Sequence, residues 1–520
     1  MKKFLLFLLL GLFYAIAAKA QYHENIMISN VNGPNEPSIY LNMKNTDQMV
    51  AGANTDKYYY STDGGYTWEA GTLVSPEYGV WGDPCIISDT TGSFYFFHLS
   101  NPQVGSWIDR IVCQKVDEPG GVWNYGTYMG LNGTKAQDKE WAIVDRTNNN
   151  IYVTWTQFDD YGNSNPLYRS NIMFSKSING GETWSDAKRI NQISGDCIDD
   201  DNTVEGAVPA VGPNGEIYVS WAGPAGLVFD KSLDGGETWL DDDVFVAEIP
   251  DGWAYEIPGI SRCNGLPITV CDLSNGPNHG NIYINWSDQR NGVDDTDVFF
   301  VKSTDGGETW SETKRVNDDP SGKQQFFTWM CVDQITGYLY FVYYDRREYD
   351  DISTDVYMAV SKNGGETFTN FKISESSFIP NSNLFFGDYN NIVAHNNIIR
   401  PVWIRMENSV RSIWTAIINP YYIYYDIDIP IPLSLQQNYP NPFKDNTWFK
   451  FKLKRSSVVN LIVFDVYGRK ISEIIVNEFM QAGKYERKFK ASDYNLPPGI
   501  YYFSLSTEKQ NIKRKMILGN

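Results

Sequence analysis

The sequence predicts an all-β fold: a seven-bladed β-propeller followed by a small C-terminal β-sandwich. Three observations carry that expectation. An eight-residue phrase recurs five times, as STDGGYTW at Ser61–Trp68, SINGGETW at Ser177–Trp184, SLDGGETW at Ser232–Trp239, STDGGETW at Ser303–Trp310 and SKNGGETF at Ser361–Phe368, with a decayed copy, VDEPGGVW, at Val116–Trp123. Copies 55 to 71 residues apart mean one supersecondary unit used repeatedly. Short runs rich in aromatic and β-branched residues fill the intervals, aromatic residues make up 15% of the chain, and no long amphipathic helical pattern follows the first twenty residues. Finally, charge changes sign near residue 430. Residues 21–432 carry 25 basic against 56 acidic residues, net −31, whereas residues 433–520 carry 15 against 7, net +8, which marks a domain boundary.

Taken in order, residues 1–20 read as a secretory signal peptide, with Lys2 and Lys3, an apolar run from Phe4 to Ala18, and small residues for cleavage before Gln21. No later run is apolar for long enough to make a transmembrane helix, so the chain is expected to be exported, and either secreted or attached to the cell surface. Residues 21–425 are assigned to the propeller, 426–434 to a linker and 435–520 to the sandwich. Each repeated phrase is placed on the hairpin between the third and fourth strands of a blade, because three strand-like runs precede it; PSIYLNM, QMVAGAN and KYYYSTD lead into the first. A seventh set, NNIVAH, RPVWIRM and SIWTAII, lacks a fourth strand. Asn25–Ser29 is expected to supply it, closing the ring so that no sheet edge is left open. A six-bladed ring is the alternative if one set is misread.

Within each phrase, Ser, an Asx residue and paired Gly specify a tight turn. The Asx side chain bonds the turn's own backbone, and Gly supplies the positive φ. The terminal Trp or Phe returns into the sheet as an apolar anchor. Asp63, Asn179, Asp234, Asp305 and Asn363 are therefore read as structural: two copies carry Asn, which keeps the acceptor and loses the charge a reagent would need.

These phrases resemble the Asp-box, or BNR, repeats of sialidase-like β-propellers among secreted glycoside hydrolases, over roughly residues 25–420. The resemblance implies that the boxes lie on the face opposite the active site, and that the protein acts on glycans as an exo-acting hydrolase or binds them. LQQNYPNPF at Leu435–Phe443, VFDVYGRKI at Val463–Ile471, LPPGIYYFSL at Leu496–Leu505 and KRKMIL at Lys513–Leu518 resemble the C-terminal sorting domain of type IX secretion cargo. That implies recognition by type IX secretion machinery and export across an outer membrane in a bacterium of the Bacteroidetes type.

In a propeller the loops before first strands and after second strands share the face opposite the boxes. Carboxylates recur before the first strands: Glu36, Asp83, Glu140, Glu205, Glu256 and Asp388. Arg290, Arg347 and Arg405 follow second strands, the first two inside a duplicated motif, WSDQRNGVDDTDVF and YYDRREYDDISTDVY. Polar groups with aromatic walls suit a carbohydrate site. Carried over from the sialidase pattern, Asp83 stands as acid/base, Glu205 or Glu256 as activator of Tyr389, and Arg290 and Arg347 as grips for a substrate carboxylate, with Arg405 a third guanidinium. The early Arg of that pattern has no counterpart, since no Arg precedes Arg110.

An acidic body does not suit nucleic acid or anionic membranes; it suits a neutral or cationic ligand, or divalent cations such as calcium, for which the recurring carboxylates are candidate ligands. Six Cys and four scattered His, without a CxxC, argue against a zinc site, and Cys263 with Cys271 is the nearest pair for a disulfide. Two readings follow: an exported sialidase-like propeller acting on glycans, or a non-catalytic binding and adhesion propeller stabilised by calcium.

Overall fold

The computed structural model describes residues 23–250, 252–419, 434–453, 457–480, 483–507 and 511–519; the predicted signal peptide and most of the predicted linker lie outside them. The chain divides into two compact units, Met1–Pro420 and Tyr421–Asn520. No α-helix occurs among the described residues.

Seven four-stranded antiparallel sheets follow one another in the first unit. The innermost strands are Ser38–Leu41, Gly82–Ser88, Ala136–Val144, Glu205–Val211, Ile268–Cys271, Gln325–Asp333 and Asn391–His395. Each touches the innermost strand of the next sheet and the last touches the first, so the sheets make a ring. All seven line a central channel of about 140 Å3. The seventh sheet takes its outer strand from the chain's other end: His23–Ser29 pairs antiparallel with Val410–Ile418, setting Asn25 opposite Ala416. Asn25 also clamps the sixth sheet, donating from Nδ2 to the carbonyl of Ile373 at 2.8 Å and accepting the Glu375 N–H at 2.9 Å.

The five boxes connect third and fourth strands. In the first, Ser61 Oγ accepts the Gly65 N–H at 2.8 Å and donates to Asp63 Oδ1 at 2.8 Å. Asp63 also accepts the Thr67 N–H at 2.9 Å and the Thr67 hydroxyl at 2.7 Å. Where Asn179 replaces Asp, its Oδ1 accepts the Thr183 N–H at 3.0 Å and its Nδ2 donates to Thr183 Oγ1 at 2.8 Å, closing the same turn with one bond reversed. The second Gly is required by its neighbour: Gly236 has φ 85°, and a Cβ there would lie 2.2 Å from the Phe174 ring of the preceding sheet. Trp239 packs edge-on against that ring at 5.1 Å. Box glutamates complete the tie, Lys176 reaching Glu237 at 2.7 Å and Lys314 reaching Glu366 at 2.8 Å. Each box thus locks its own turn and fastens one sheet to the next.

The second unit has a three-stranded sheet, Ser434–Leu435, Asn446–Leu453 and Gly483–Lys490, and a four-stranded one in the order Lys470–Met480, Ser457–Phe464, Gly499–Ser506, Asn511–Leu518. Alternate side chains such as Phe449, Phe451, Leu461, Val463, Phe503, Leu505 and Met516 form one buried core, the pattern of a two-layer sandwich. Two features of the chain depart from sequence expectation. A short hairpin, Ala254–Tyr255 with Cys263–Asn264, is inserted between the fourth and fifth sheets. Cys263 and Cys271 are not bonded; all six cysteines are free thiols, and Cys271 lines the channel.

Candidate active site at the mouth of the ring

Antiparallel pairing places the starts of the innermost strands at the end of the ring opposite the boxes. There the strands are irregular. Register shifts interrupt the pairing between Gly82 and Cys85, Asp138 and Trp141, Glu205 and Val208, and Phe326 and Trp329. Within them Asp83 and Lys139 take left-handed backbone, both at φ 53°, and Glu36 does so at 50° before the first sheet. Bulges of this kind re-aim side chains, and holding a non-glycine residue there costs about 1 kcal/mol or more.

The re-aimed groups meet. Lys139 Nζ lies 2.6 Å from Asp388 Oδ2, 3.2 Å from Asp83 Oδ2 and 3.8 Å from Glu36 Oε1. Arg262, on the inserted hairpin, grips Asp388 through Nε at 3.0 Å and through Nη2, and bonds Asp199 through Nη1 at 2.8 Å. Tyr161 donates its hydroxyl to the same Asp199 oxygen at 2.7 Å. Asn54 links Glu36 to the backbone N–H of Asp83. Three aromatic rings stand beside these charges: Trp141 lies 4.3 Å from Trp329 and 5.0 Å from Tyr389, ring centre to ring centre, and both Trp also line the channel.

Protonation is divided within the network. Burial alone would raise the Asp388 carboxyl, but Lys139 and Arg262 override it and hold it down at about 2. Burial would likewise depress the Lys139 ammonium, yet Asp388, Asp83 and Glu36 hold it well above its usual range. Burial, reinforced by neighbouring carboxylates, pushes Glu36, Glu140 and Glu205 well above the ordinary carboxylate range and raises Asp138 to about 7. Glu140 and Glu205 are fully buried, and neither carboxyl has a hydrogen-bond partner. Burial, then Asp83, Glu36 and Glu140, hold the Tyr389 hydroxyl well above its usual range, and it too has no partner. One small region therefore holds a carboxyl whose pKa is lowered, carboxyls whose pKa is raised, and two cations, the materials of acid–base chemistry on a polar substrate.

Of the residues singled out from the sequence, Asp83, Glu205 and Tyr389 fall in or against this network. Glu256 does not: it is exposed, and its backbone carbonyl accepts Gln289 Nε2 at 3.0 Å. The three arginines are not brought together. Arg290 bonds Asp288 through Nε at 2.9 Å and Nη2 at 2.6 Å, and lies over Phe299. Arg347 repeats that arrangement with Asp345 at 2.9 Å and Tyr357. Arg405 bonds Ser376 at 2.7 Å and lies over Trp414. Asp297 and Asp355 are served by Asn317 and by Lys372, so within the duplicated motif each Arg takes the carboxylate two residues before it. Of the carboxylates considered as calcium ligands, Glu36, Asp83 and Asp388 face Lys139, and Asp388 also faces Arg262; no group of three or more His, Cys, Asp and Glu among the described residues is arranged to hold a metal ion.

Lys139, Arg262 and Asp138 were not read from the sequence. Lys139 was detectable, because it occupies in DKEW the bulge position that Asp83 occupies in GDPC. Arg262 sits on an insertion with no counterpart in the other repeats.

Residues 437–519 match the secretion system C-terminal sorting domain family, and residues 59–70 match the BNR/Asp-box repeat. Nothing among the curated proteins matches the chain. Among solved structures, a protein of unknown function from Dyadobacter fermentans is 12% identical, with 76% of this chain and 97% of that one covered at a TM-score of 0.43. The NanB sialidase of Streptococcus pneumoniae is 10% identical, with 71% and 83% covered at 0.43. An α-L-arabinofuranosidase from Fusarium graminearum is 12% identical, with 63% and 93% covered at 0.41. The chain is a ring of seven sheets with Asp-box turns, and it carries a C-terminal sorting domain. That domain marks it for export, to the cell surface or beyond, and no helix among the described residues is long and apolar enough to cross a membrane.

Proposed function

We propose that the protein is an exported glycan-acting enzyme, a glycoside hydrolase whose acid–base groups are the carboxyls around Lys139 and Arg262. The observation that supports this best is the pair of fully buried, unpartnered carboxyls, Glu140 and Glu205, both within electrostatic reach of Asp138 and Lys139. A folded chain leaves such groups without hydrogen bonds at a cost of about 1–3 kcal/mol each, and functional sites are where that cost is tolerated. Hydrolysis needs one carboxyl able to protonate the departing glycosidic oxygen and one carboxylate able to assist water or hold the developing positive charge. Asp138 suits the first task, with its proton affinity raised by burial to about 7. Asp83, whose side chain is 13% exposed, suits the second. Lys139 and Arg262 would hold sugar hydroxyls. Asp83, Asp199 and Asp388 outnumber the two cations they bind or face, and the arginines that would grip a substrate carboxylate are committed elsewhere, which favours a neutral or amino sugar over a sugar acid.

The test is a screen of fluorogenic glycosides with the exported chain and its Asp138→Asn, Asp83→Asn and Glu256→Gln variants. Turnover of a neutral or amino glycoside, lost in the first two variants and kept in the third, is the expected result. No turnover of any glycoside would sink the hydrolase reading.

A further inference from the structure

We infer that Trp81 and Trp107 form a stacking subsite that carries a glycan chain toward the mouth; this rests on the glycan-acting reading above. The two indoles stand edge to face with centres 6.0 Å apart, and they are 43% and 45% exposed. Trp107 meets the ring of Tyr161 at 5.8 Å, and Tyr161 donates to Asp199 at 2.7 Å, the carboxylate that also holds Arg262. A continuous line of contacts therefore runs from two solvent-facing rings into the charged network.

Both rings are carried on fixed backbone. Trp81 donates its backbone N–H to the Leu99 carbonyl at 2.9 Å and immediately precedes the bulge that aims Asp83. Trp107 precedes Ile108, whose backbone is left-handed at φ 46° and whose N–H donates to the Ser100 carbonyl at 3.0 Å. Asp109 fastens the same turn by accepting the Ser100 hydroxyl at 2.9 Å and the Arg110 guanidinium at 2.8 Å. Exposed indoles held this way lose little freedom on binding, which is the advantage of a preorganised surface.

The chemistry around the rings selects the occupant. A sugar ring offers an apolar C–H face to an indole while its hydroxyls donate to nearby acceptors. Asp83 and Asp199 stand as acceptors next to this aromatic line. The same carboxylates, on a body of net charge −31, repel the anionic lipid headgroups that exposed Trp would otherwise suit. Continuity with the mouth assigns the rings to the sugars beyond the one being cleaved, so binding should strengthen with chain length.

The experiment is calorimetric titration of the full exported chain with chito-oligosaccharides of two to six sugars, N-acetylated and deacetylated. Parallel titrations use Trp81→Ala/Trp107→Ala and Trp81→Phe/Trp107→Phe. Wild type is expected to bind six sugars at least tenfold more tightly than two. The double Ala variant should lose that gain, the double Phe variant should keep most of it, and thermal unfolding should match wild type in both. Turnover of a single-sugar fluorogenic glycoside should be unchanged in the Ala variant. Equal chain-length dependence in wild type and the Ala variant overturns the subsite, as does failure of every oligosaccharide to bind. Chain-length-dependent binding without turnover of any glycoside leaves the subsite standing and removes the hydrolase reading instead.

Discussion

The two ends of the ring are built from the same repeated sheets but by opposite rules. At the box end the same turn recurs in five of the seven sheets, each Asx side chain is bonded within its own turn, and Asp can become Asn without altering the closure. At the mouth little repeats. Equivalent bulge positions hold Asp83, Lys139, Gly206 and Phe327, and Glu140 and Glu205 are buried without partners. Repetition with each Asx side chain bonded inside its own turn is what a structural fastening needs. Variation with unsatisfied buried groups is what a site fitted to a ligand looks like, because the pairing it lacks is left for something else to supply.

The contrast can be broken in several ways. The largest effect should come from Lys139→Met, which strands Asp388, Asp83 and Glu36 without their buried cation. A loss of about 3–5 kcal/mol in urea unfolding is expected, and a change below about 1 kcal/mol would show that the network is not coupled. At the other end Asp234→Ala removes the acceptor for the Thr238 N–H and hydroxyl. That should cost about 1–2 kcal/mol, whereas Asp234→Asn should cost under about 0.5 kcal/mol, because the chain already uses Asn at two equivalent positions. Smaller than the Asp234→Ala loss is that of Glu366→Gln, which weakens an exposed tie to Lys302 and Lys314 and should change stability by less than about 1 kcal/mol.

pH should separate the ends by sign. Asp138 has its folded-state proton affinity raised to about 7 by burial, so its contribution is fully present below the ordinary carboxylate range and is lost as pH rises toward 7. Asp305 is the reverse. Bonds from Thr309 and Ser303 hold it at about 2, so its small contribution is present above the carboxylate range and is lost as pH falls through 2. Melting temperature should therefore decline between pH 5 and 7.5, and Asp138→Asn should flatten that decline while Asp305→Asn leaves it unchanged.

Much of the fold was legible because it is periodic. The boxes fixed the hairpins, the strand runs between them fixed the sheets, and the unpaired seventh set pointed to the N-terminal strand that pairs with Val410–Ile418. The mouth was legible only in part. Asp83 and Glu205 stood out because carboxylates recur before first strands, and Tyr389 because the resemblance to sialidases asks for a tyrosine late in the chain. Their true partners did not, since Lys139 is aimed by a one-residue bulge and Arg262 arrives on an inserted hairpin, and neither device leaves a periodic trace. Arg290 and Arg347 are the complementary case. They do recur, and their recurrence reflects one loop fastening used twice, each Arg taking the Asp two residues before it.

That ligand engagement belongs to the mouth and not to the boxes is tested most directly by one titration series. Chito-oligosaccharide binding should be measured by calorimetry for wild type, Asp388→Asn and Asp234→Asn under identical conditions. Affinity reduced at least tenfold in the Asp388 variant and unchanged in the Asp234 variant is the predicted result. Unchanged affinity in the Asp388 variant, or a loss in the Asp234 variant as large as that at the mouth, would contradict it.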